Sequence, residues 1–261
     1  MKSPLKVAVF QMATTFDVLV NARKVKAAIE SAAGLGANLL ILPECALSGY
    51  LPRRDLDFGA LETAEAEVAR CAAGSALWLA LGTTRRRGGK WRNVALLCSP
   101  GGTTSVYEKT HLTPDDALLF AAGDELPVFR AGAWTVAMQI CFDMRFAENW
   151  RILRRKGAEL VIHLSNASLS DGWKVPVLEG AIRSRAADNG MFVASANDAR
   201  APQMMVSAVC DPDGRDLARA PENEETILVA EIDRSAVKSN FLEARRTDLW
   251  GGPENAPFLL S

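Results

Sequence analysis

Short, wholly apolar runs alternate along this chain with longer stretches in which apolar residues recur every three or four positions. Residues 5–11 (LKVAVFQ) form the first run, with the branched side chains of a buried strand. After a polar turn, Asn21 offers a helix cap, and Val25, Ala28, Ile29 and Ala32 then share one helical face as far as Gly34 and Gly36. Residues 38–42 (NLLIL) make the next run and stop at Pro43-Glu44. Helix, Gly-Ala, apolar strand is the pattern of a βαβ unit in a sheet covered by helices. Leu61, Glu65, Val68 and Ala72 mark a second helix, and residues 77–82 (LWLALG) a third strand. A basic turn closed by Gly88-Gly89 leads into a return strand over residues 93–98, which predicts a hairpin. The run Arg85, Arg86, Arg87 at its tip reads as a solvated turn rather than an anion site.

The second half repeats the alternation. A strand at residues 104–107 runs into Glu108-Lys109-Thr110-His111-Leu112, and residues 113–124 read as a loop. Residues 128–129 and 134–140 form a strand pair that ends at Cys141, and a helix over residues 147–156 closes at Gly157. Residues 160–164 (LVIHL) are again apolar. GANLLIL near residue 36 and GAELVIH near residue 157 are a weak internal echo, as two similar αβ halves would give. Residues 173–189 read as a helix with Val177, Ala181 and Ser184 along one face, followed by a strand at 191–195. A hairpin at 206–210 turns on Asp211-Pro212-Asp213-Gly214, and the last strand is 226–232. From Ser239 onward periodicity is lost, yet Phe241, Trp250 and Phe258 need apolar cover, from a subunit interface or from the chain's own body. No linker divides the chain, so residues 1–261 are read as one domain with a tail at 239–261.

Composition narrows the class without naming a function. Basic and acidic residues balance to a net charge of −1, which implies neither nucleic acid nor an acidic membrane surface as partner. No apolar run reaches the roughly 18 residues of a membrane span, and the N-terminal apolar stretch reads as a strand rather than a signal peptide. Five scattered cysteines with no C-x-x-C pair argue against a disulfide framework or zinc site and for a reducing cytoplasm. Two histidines, His111 and His163, are too few for a typical histidine metal centre.

Three polar residues share one structural address. Glu44 follows the NLLIL strand, Lys109 the SVY strand, and Cys141 the AMQI strand. Residues just past strand C-termini gather at one rim of an α/β sheet, where such folds bind ligands. A carboxylate, an ammonium and a thiol gathered there could act as base, oxyanion stabiliser and nucleophile. Taken singly, Glu44 could cap a loop, Lys109 could be a solvated strand end, and Cys141 could be a buried small hydrophobe. A thiol entering a helix would have its pKa lowered by the helix N-terminus.

The stretches LLILPECALSGY, YEKTHL and QICFDMRFAE resemble the three signature segments of the nitrilase superfamily, the carbon–nitrogen hydrolases. RSRAADNGMFVASAND and CDPDGRDLA are similar to that family's late helix–strand segment and closing hairpin, so the likeness runs nearly end to end. It implies an α/β fold, a four-layer αββα sandwich whose subunits pair sheet-to-sheet into homodimers or higher homo-oligomers. It makes Cys141 the nucleophile, Glu44 the general base, and Lys109 the oxyanion stabiliser together with the Phe142 N–H. It implies a small-molecule amide as substrate, and no metal or organic cofactor is called for. Relatives carry a second Glu in the loop after the Lys motif; here its match is Asp116, shorter by about 1.5 Å. If Asp116 fills that role, lengthening it to Glu is expected to preserve or raise activity. A second departure is SNAS at 165–168, which would turn Asn166 toward the pocket. ICFDMRFAE looks closest to the omega-amidase branch and FAAGDELPVF to general aliphatic amidases. A dicarboxylic monoamide is therefore the first expected substrate, with Arg145 as candidate cation for its distal carboxylate; nitrile or N-carbamoyl hydrolysis and a weakly active scaffold are the alternatives.

Overall fold

The apolar runs are strands, and they assemble into two sheets packed face to face. A computed structural model describes residues 4–51, 54–168 and 172–244; Trp250 and Phe258 of the expected interface tail lie outside them. In chain order the elements are β1 (Leu5–Gln11), α1 (Val18–Gly34), β2 (Leu39–Ile41), α2 (Phe58–Gly74), β3 (Trp78–Arg87), β4 (Lys90–Cys98) and β5 (Thr104–Glu108). There follow α3 (Pro114–Ala117), β6 (Val128–Ala131), β7 (Trp134–Ile140), α4 (Ala147–Arg155), β8 (Leu160–Leu164) and α5 (Val175–Asn189). The described strands end with β9 (Phe192–Ala196), β10 (Ala208–Cys210), β11 (Asp216–Arg219) and β12 (Thr226–Ile232).

One sheet runs β12-β1-β2-β3-β4-β5 and the other β11-β10-β9-β8-β7-β6. Each holds a parallel triplet, β1-β2-β3 or β7-β8-β9, flanked by antiparallel strands. The sequence echo falls on β2 and β8, the middle strand of each triplet. The period of two along a strand sorts side chains between layers. Leu39 and Ile41 of β2 meet Leu160, Ile162 and Leu164 of β8 in the core between the sheets. Leu40 and Leu42 face α1 and α2, while Val161 faces α4 and α5. The layers are therefore helix, sheet, sheet, helix, as the resemblance implies. Strands buried on both faces must be apolar throughout, and each such leucine or valine contributes roughly 1.5–3 kcal/mol by leaving water. Among the described residues, no helix is long and apolar enough to cross a membrane.

Three local readings change. Helix α1 is capped by Asp17, whose carboxylate accepts from the N–H groups of Leu19 and Val20. Asn21 instead is buried and bonds the Thr15 and Leu47 carbonyls, because a helix face turned to a loop needs a donor there. The arginine run ends β3 rather than forming the turn, with Arg86 and Arg87 exposed as expected: Arg85 pairs with Glu65, Arg86 lies over the Phe58 ring and Arg87 pairs with Glu108. The loop after Leu112 contains α3, capped by Thr113.

Gly82 of β3 lets the sheet approach the loop that carries Glu44. A methyl at Gly82 would stand 2.6 Å from Cys45 N and 2.7 Å from Glu44 Cα. Both are backbone atoms, which cannot turn aside as a side-chain tip could. Gly82→Ala is expected to lower stability by about 1–3 kcal/mol, as overpacking does, and to reduce catalysis, read by chemical denaturation alongside turnover. An unchanged unfolding midpoint would contradict this packing.

Candidate active site

Glu44 leaves β2 in one sheet, Lys109 leaves β5 in the same sheet, and Cys141 leaves β7 in the other. Glu44, Lys109 and Asp116 are fully buried. The Lys109 ammonium lies 2.7 Å from Glu44 Oε1 and 2.7 Å from Asp116 Oδ2. Asn93 Nδ2, from β4, donates to the same Glu44 oxygen at 2.7 Å, and the Asn166 N–H donates to Glu44 Oε2 at 3.0 Å. Asp116 owes its reach to α3. Thr113 and Asp116 form a reciprocal capping box, with Thr113 N–H on Asp116 Oδ2 at 3.0 Å and Asp116 N–H on Thr113 Oγ1 at 3.0 Å. The turn carries the backbone inward, so an aspartate contacts the ammonium at the same distance as Glu44. Its other oxygen, Oδ1, is buried without a donor among the described residues. The Tyr50 ring stands 5.9 Å from the ammonium.

Electrostatics follow from two carboxylates and one ammonium in a dry site. Burial raises the Glu44 carboxyl above its usual range, and Lys109 opposes the shift. For Lys109 burial works to lower the ammonium, but Glu44, Cys141 and Asp116 hold it well above the ordinary lysine range. Burial, then the Glu44 charge, push the Cys141 thiol up to about 12; Lys109, the Ser165 hydroxyl and the Asn166 N–H act the other way. This reverses the expectation of a thiolate favoured by a helix N-terminus. Cys141 opens only a short 3-10 turn, Cys141–Arg145, whose end dipole is weaker than the loss of water and the nearby carboxylate.

Cys141 also has a left-handed backbone, with φ of 43°, which costs a non-glycine residue about 1–3 kcal/mol. Asp143 holds the turn. Its buried carboxylate accepts from the Ile140 N–H at 2.9 Å, Tyr107 Oη at 2.7 Å, Thr110 Oγ1 at 3.0 Å and the His111 N–H at 2.9 Å. The nucleophile turn is thereby tied to the Lys109 segment. His163 reaches the Cys141 carbonyl at 3.2 Å.

The other expected site residues are placed differently from one another. Phe142 is half-buried beside Cys141, its ring edge-on to Phe146. Arg145 is exposed. The Asn166 side chain is not free to face a substrate: Nδ2 bonds Thr14 Oγ1, the Glu44 carbonyl and Asp198 Oδ2, and Oδ1 accepts from Arg200 at 3.0 Å. Its backbone N–H, rather than its amide, serves the cluster. Sequence reasoning misses Asn93, Asp143 and His163. Asp143 lies inside the ICFDMR segment, where an acid two residues after the thiol is a usable signal. Asn93, mid-strand, gives none.

Fold and site together set a cysteine, a glutamate and a lysine at strand ends of an αββα sandwich. The carbon–nitrogen hydrolase family matches residues 6–240, and the chain belongs to that family, within the nitrilase superfamily. It is 32% identical to a Pseudomonas protegens protein described as "hydrolase in pqqF 5'region" over 236 residues, which is 82% of this chain and 80% of that one. It is 28% identical to omega-amidase NIT2 of Mus musculus, over 95% of this chain and 97% of the relative. In architecture it resembles the amidase from Nesterenkonia sp., with a TM-score of 0.84 at 24% identity over 96% and 97% of the two chains. A mutant of that amidase, 23% identical with a TM-score of 0.84 over 95% of this chain and 96% of its own, shows covalent addition of the acetamide moiety of fluoroacetamide at its active site cysteine.

The geometry reverses the outcome expected for Asp116→Glu. Asp116 already meets Lys109 at 2.7 Å, so an extra methylene must displace the ammonium or break the capping box. Displacement near 1 Å costs on the order of 100-fold, and turnover of Asp116→Glu is expected to fall by about that factor. A variant as active as the parent would show that the cluster tolerates the longer acid.

Proposed function

We propose that this chain hydrolyses small aliphatic amides to carboxylate and ammonia through a Cys141 thioester. The observation that carries the reading is the half-buried thiol beside the buried Glu44–Lys109–Asp116 cluster. Glu44 Oε1 is occupied by Lys109 and Asn93, which leaves Oε2, bonded only by the Asn166 N–H, as the basic oxygen. It takes the thiol proton as sulfur attacks the amide carbon. The carbonyl oxygen becomes an oxyanion, received by the Lys109 ammonium and the Phe142 N–H. Glu44 passes its proton to the amide nitrogen, the C–N bond breaks and ammonia leaves. Glu44 then takes a proton from water, which attacks the thioester; the acid is released and the thiol restored.

Asp116 Oδ1 supports an amide over a nitrile. A buried acceptor with no donor is costly, on the order of 1–3 kcal/mol, and an amide nitrogen brings the N–H that satisfies it. A nitrile brings none. Among amides, a dicarboxylic monoamide of the omega-amidase kind is the first to test. Arg145, exposed on the surface, is poorly placed to hold its distal carboxylate. Arg200 is better connected, since it donates to Asn166 Oδ1, but it is also paired with Asp198 at 2.9 Å. Uncharged aliphatic amides fit that neutralised rim at least as well.

Ammonia release from a panel of amides, nitriles and ureido acids, with hydroxylamine as a parallel acyl trap, tests the reading. Amides are expected to turn over, Cys141→Ala to abolish turnover, and Cys98→Ala to keep it. Turnover of nitriles alone would favour the nitrile alternative, hydroxamate without free acid would indicate acyl transfer, and silence from every class would leave a binding subunit. The pH dependence provides a second check. Because the Glu44 charge raises the Cys141 thiol, Glu44→Gln should lower the midpoint of its alkylation by iodoacetamide below about 12. The same change removes the base, so turnover should drop at least 100-fold. A midpoint that rises, or turnover that survives, would show that Glu44 is not the neighbouring base.

A further inference from the structure

His163 takes no part in the chemistry above, yet it is fully buried behind the nucleophile. It stands on β8, register-paired with Gln139 of β7 and Ser195 of β9, on the side of the sheet where Trp150 packs at 6.1 Å between ring centroids. Its ring nitrogens meet groups of different kinds. Nε2 lies 3.2 Å from the Cys141 carbonyl oxygen, and Nδ1 lies 2.8 Å from Ser195 Oγ. A carbonyl can only accept, so Nε2 carries the proton. Burial holds the imidazole down to about 4, neutral at physiological pH, so Nδ1 is a lone pair and Ser195 donates to it. The relay runs from the Ser195 hydroxyl through His163 to the Cys141 carbonyl.

That carbonyl shares a peptide unit with the Phe142 N–H. The unit is planar and trans, so its C=O and N–H point in opposite directions. Whatever holds the oxygen therefore aims the N–H away from itself. The unit directly follows the left-handed Cys141, where backbone strain makes the peptide's orientation dependent on outside support. We propose that His163 is a positioning residue that, by gripping the Cys141 carbonyl, keeps the Phe142 N–H turned toward the oxyanion. This rests on the assignment of that N–H as an oxyanion donor under the proposed function.

Two reagents separate positioning from packing. Acylation of Cys141 by p-nitrophenyl acetate, read as a p-nitrophenolate burst, passes through a tetrahedral oxyanion. Alkylation by iodoacetamide displaces iodide directly and forms none. His163→Leu removes the donor, and His163→Gln returns an N–H near the Nε2 position. A lost oxyanion donor costs about 100- to 1,000-fold, so a misaimed one in His163→Leu should slow acylation about 10- to 100-fold and alkylation less than about 2-fold. His163→Gln should recover most of the acylation rate. Ser195→Ala, which frees the tautomer without touching the carbonyl, should slow acylation alone and by less. Acylation and alkylation falling in parallel, or His163→Gln as slow in acylation as His163→Leu, would overturn the proposal. If His163→Leu does not fold, His163→Gln and Ser195→Ala against the parent still decide: selective loss with Ser195→Ala supports the relay, and an unchanged acylation-to-alkylation ratio in Ser195→Ala overturns it. A parent that is acylated by the ester yet hydrolyses no amide would refute the amide reading and leave this inference standing. A parent that is alkylated but never acylated would refute the oxyanion site, and this inference with it.

Discussion

A single ammonium group, that of Lys109, holds the site together. Taking it out of water costs several kcal/mol, and so does burying each carboxylate that faces it. The arrangement is tolerable only because the three charges meet at 2.7 Å and the remaining carboxylate positions of Glu44 are filled by Asn93 and the Asn166 N–H. Loss of Lys109 would leave two buried carboxylates without a counter-charge. The partners come from the exits of β2 and β5 and from α3, so the cluster also fixes three loops that share no hydrogen-bonded ladder. After burial, the Glu44 charge is what most raises the nearby thiol.

Glu44 and Cys141 follow strands of different sheets, so their separation is set by how the sheets pack. The seam is built from equivalent parts of the two halves. Glu44 follows the middle strand of one parallel triplet, and Ser165 and Asn166 follow the middle strand of the other. The Glu44 N–H reaches the Ser165 carbonyl at 3.4 Å, and the Asn166 N–H reaches Glu44 Oε2 at 3.0 Å. Leucines and isoleucines of β2 and β8 belong to the one core between the sheets. Close-packed interiors transmit small volume changes, which makes the apolar seam part of the catalytic geometry.

What is legible in the sequence tracks how local the determining physics is. The central strands can be read because burial on both faces leaves apolar runs, and Glu44, Lys109 and Cys141 can be grouped because each follows the end of a strand. Asn93 stays hidden because a polar residue in the middle of β4 looks the same whether it faces solvent or a carboxylate across the sheet. The sequence turns Asn166 toward the pocket, yet its side chain faces Thr14 and Asp198, which lie 152 and 32 residues away along the chain. Asp116 is recognisable by its likeness in position to a longer acid; the capping box that closes the gap lies in the T-P-D-D segment, which reads as loop. The thiol's state escapes for a similar reason. The helix-end rule is local, whereas burial and the Glu44 charge arise only once two sheets have met.

A protonated thiol has a consequence for how the reaction is controlled. A resting thiolate would be reactive toward any electrophile that entered. On the proposed mechanism, sulfur becomes nucleophilic while its proton passes to Glu44, as the developing oxyanion is received. In that proposal the receiving groups are the Lys109 ammonium, held by two carboxylates, and a backbone N–H that follows a strained residue. Asp143 supports that residue from the β5 side, and His163 from β8. Reactivity is therefore conditional on a carbonyl that fits between these supports, and the strain at Cys141 is maintained by packing from both sheets rather than by the turn itself.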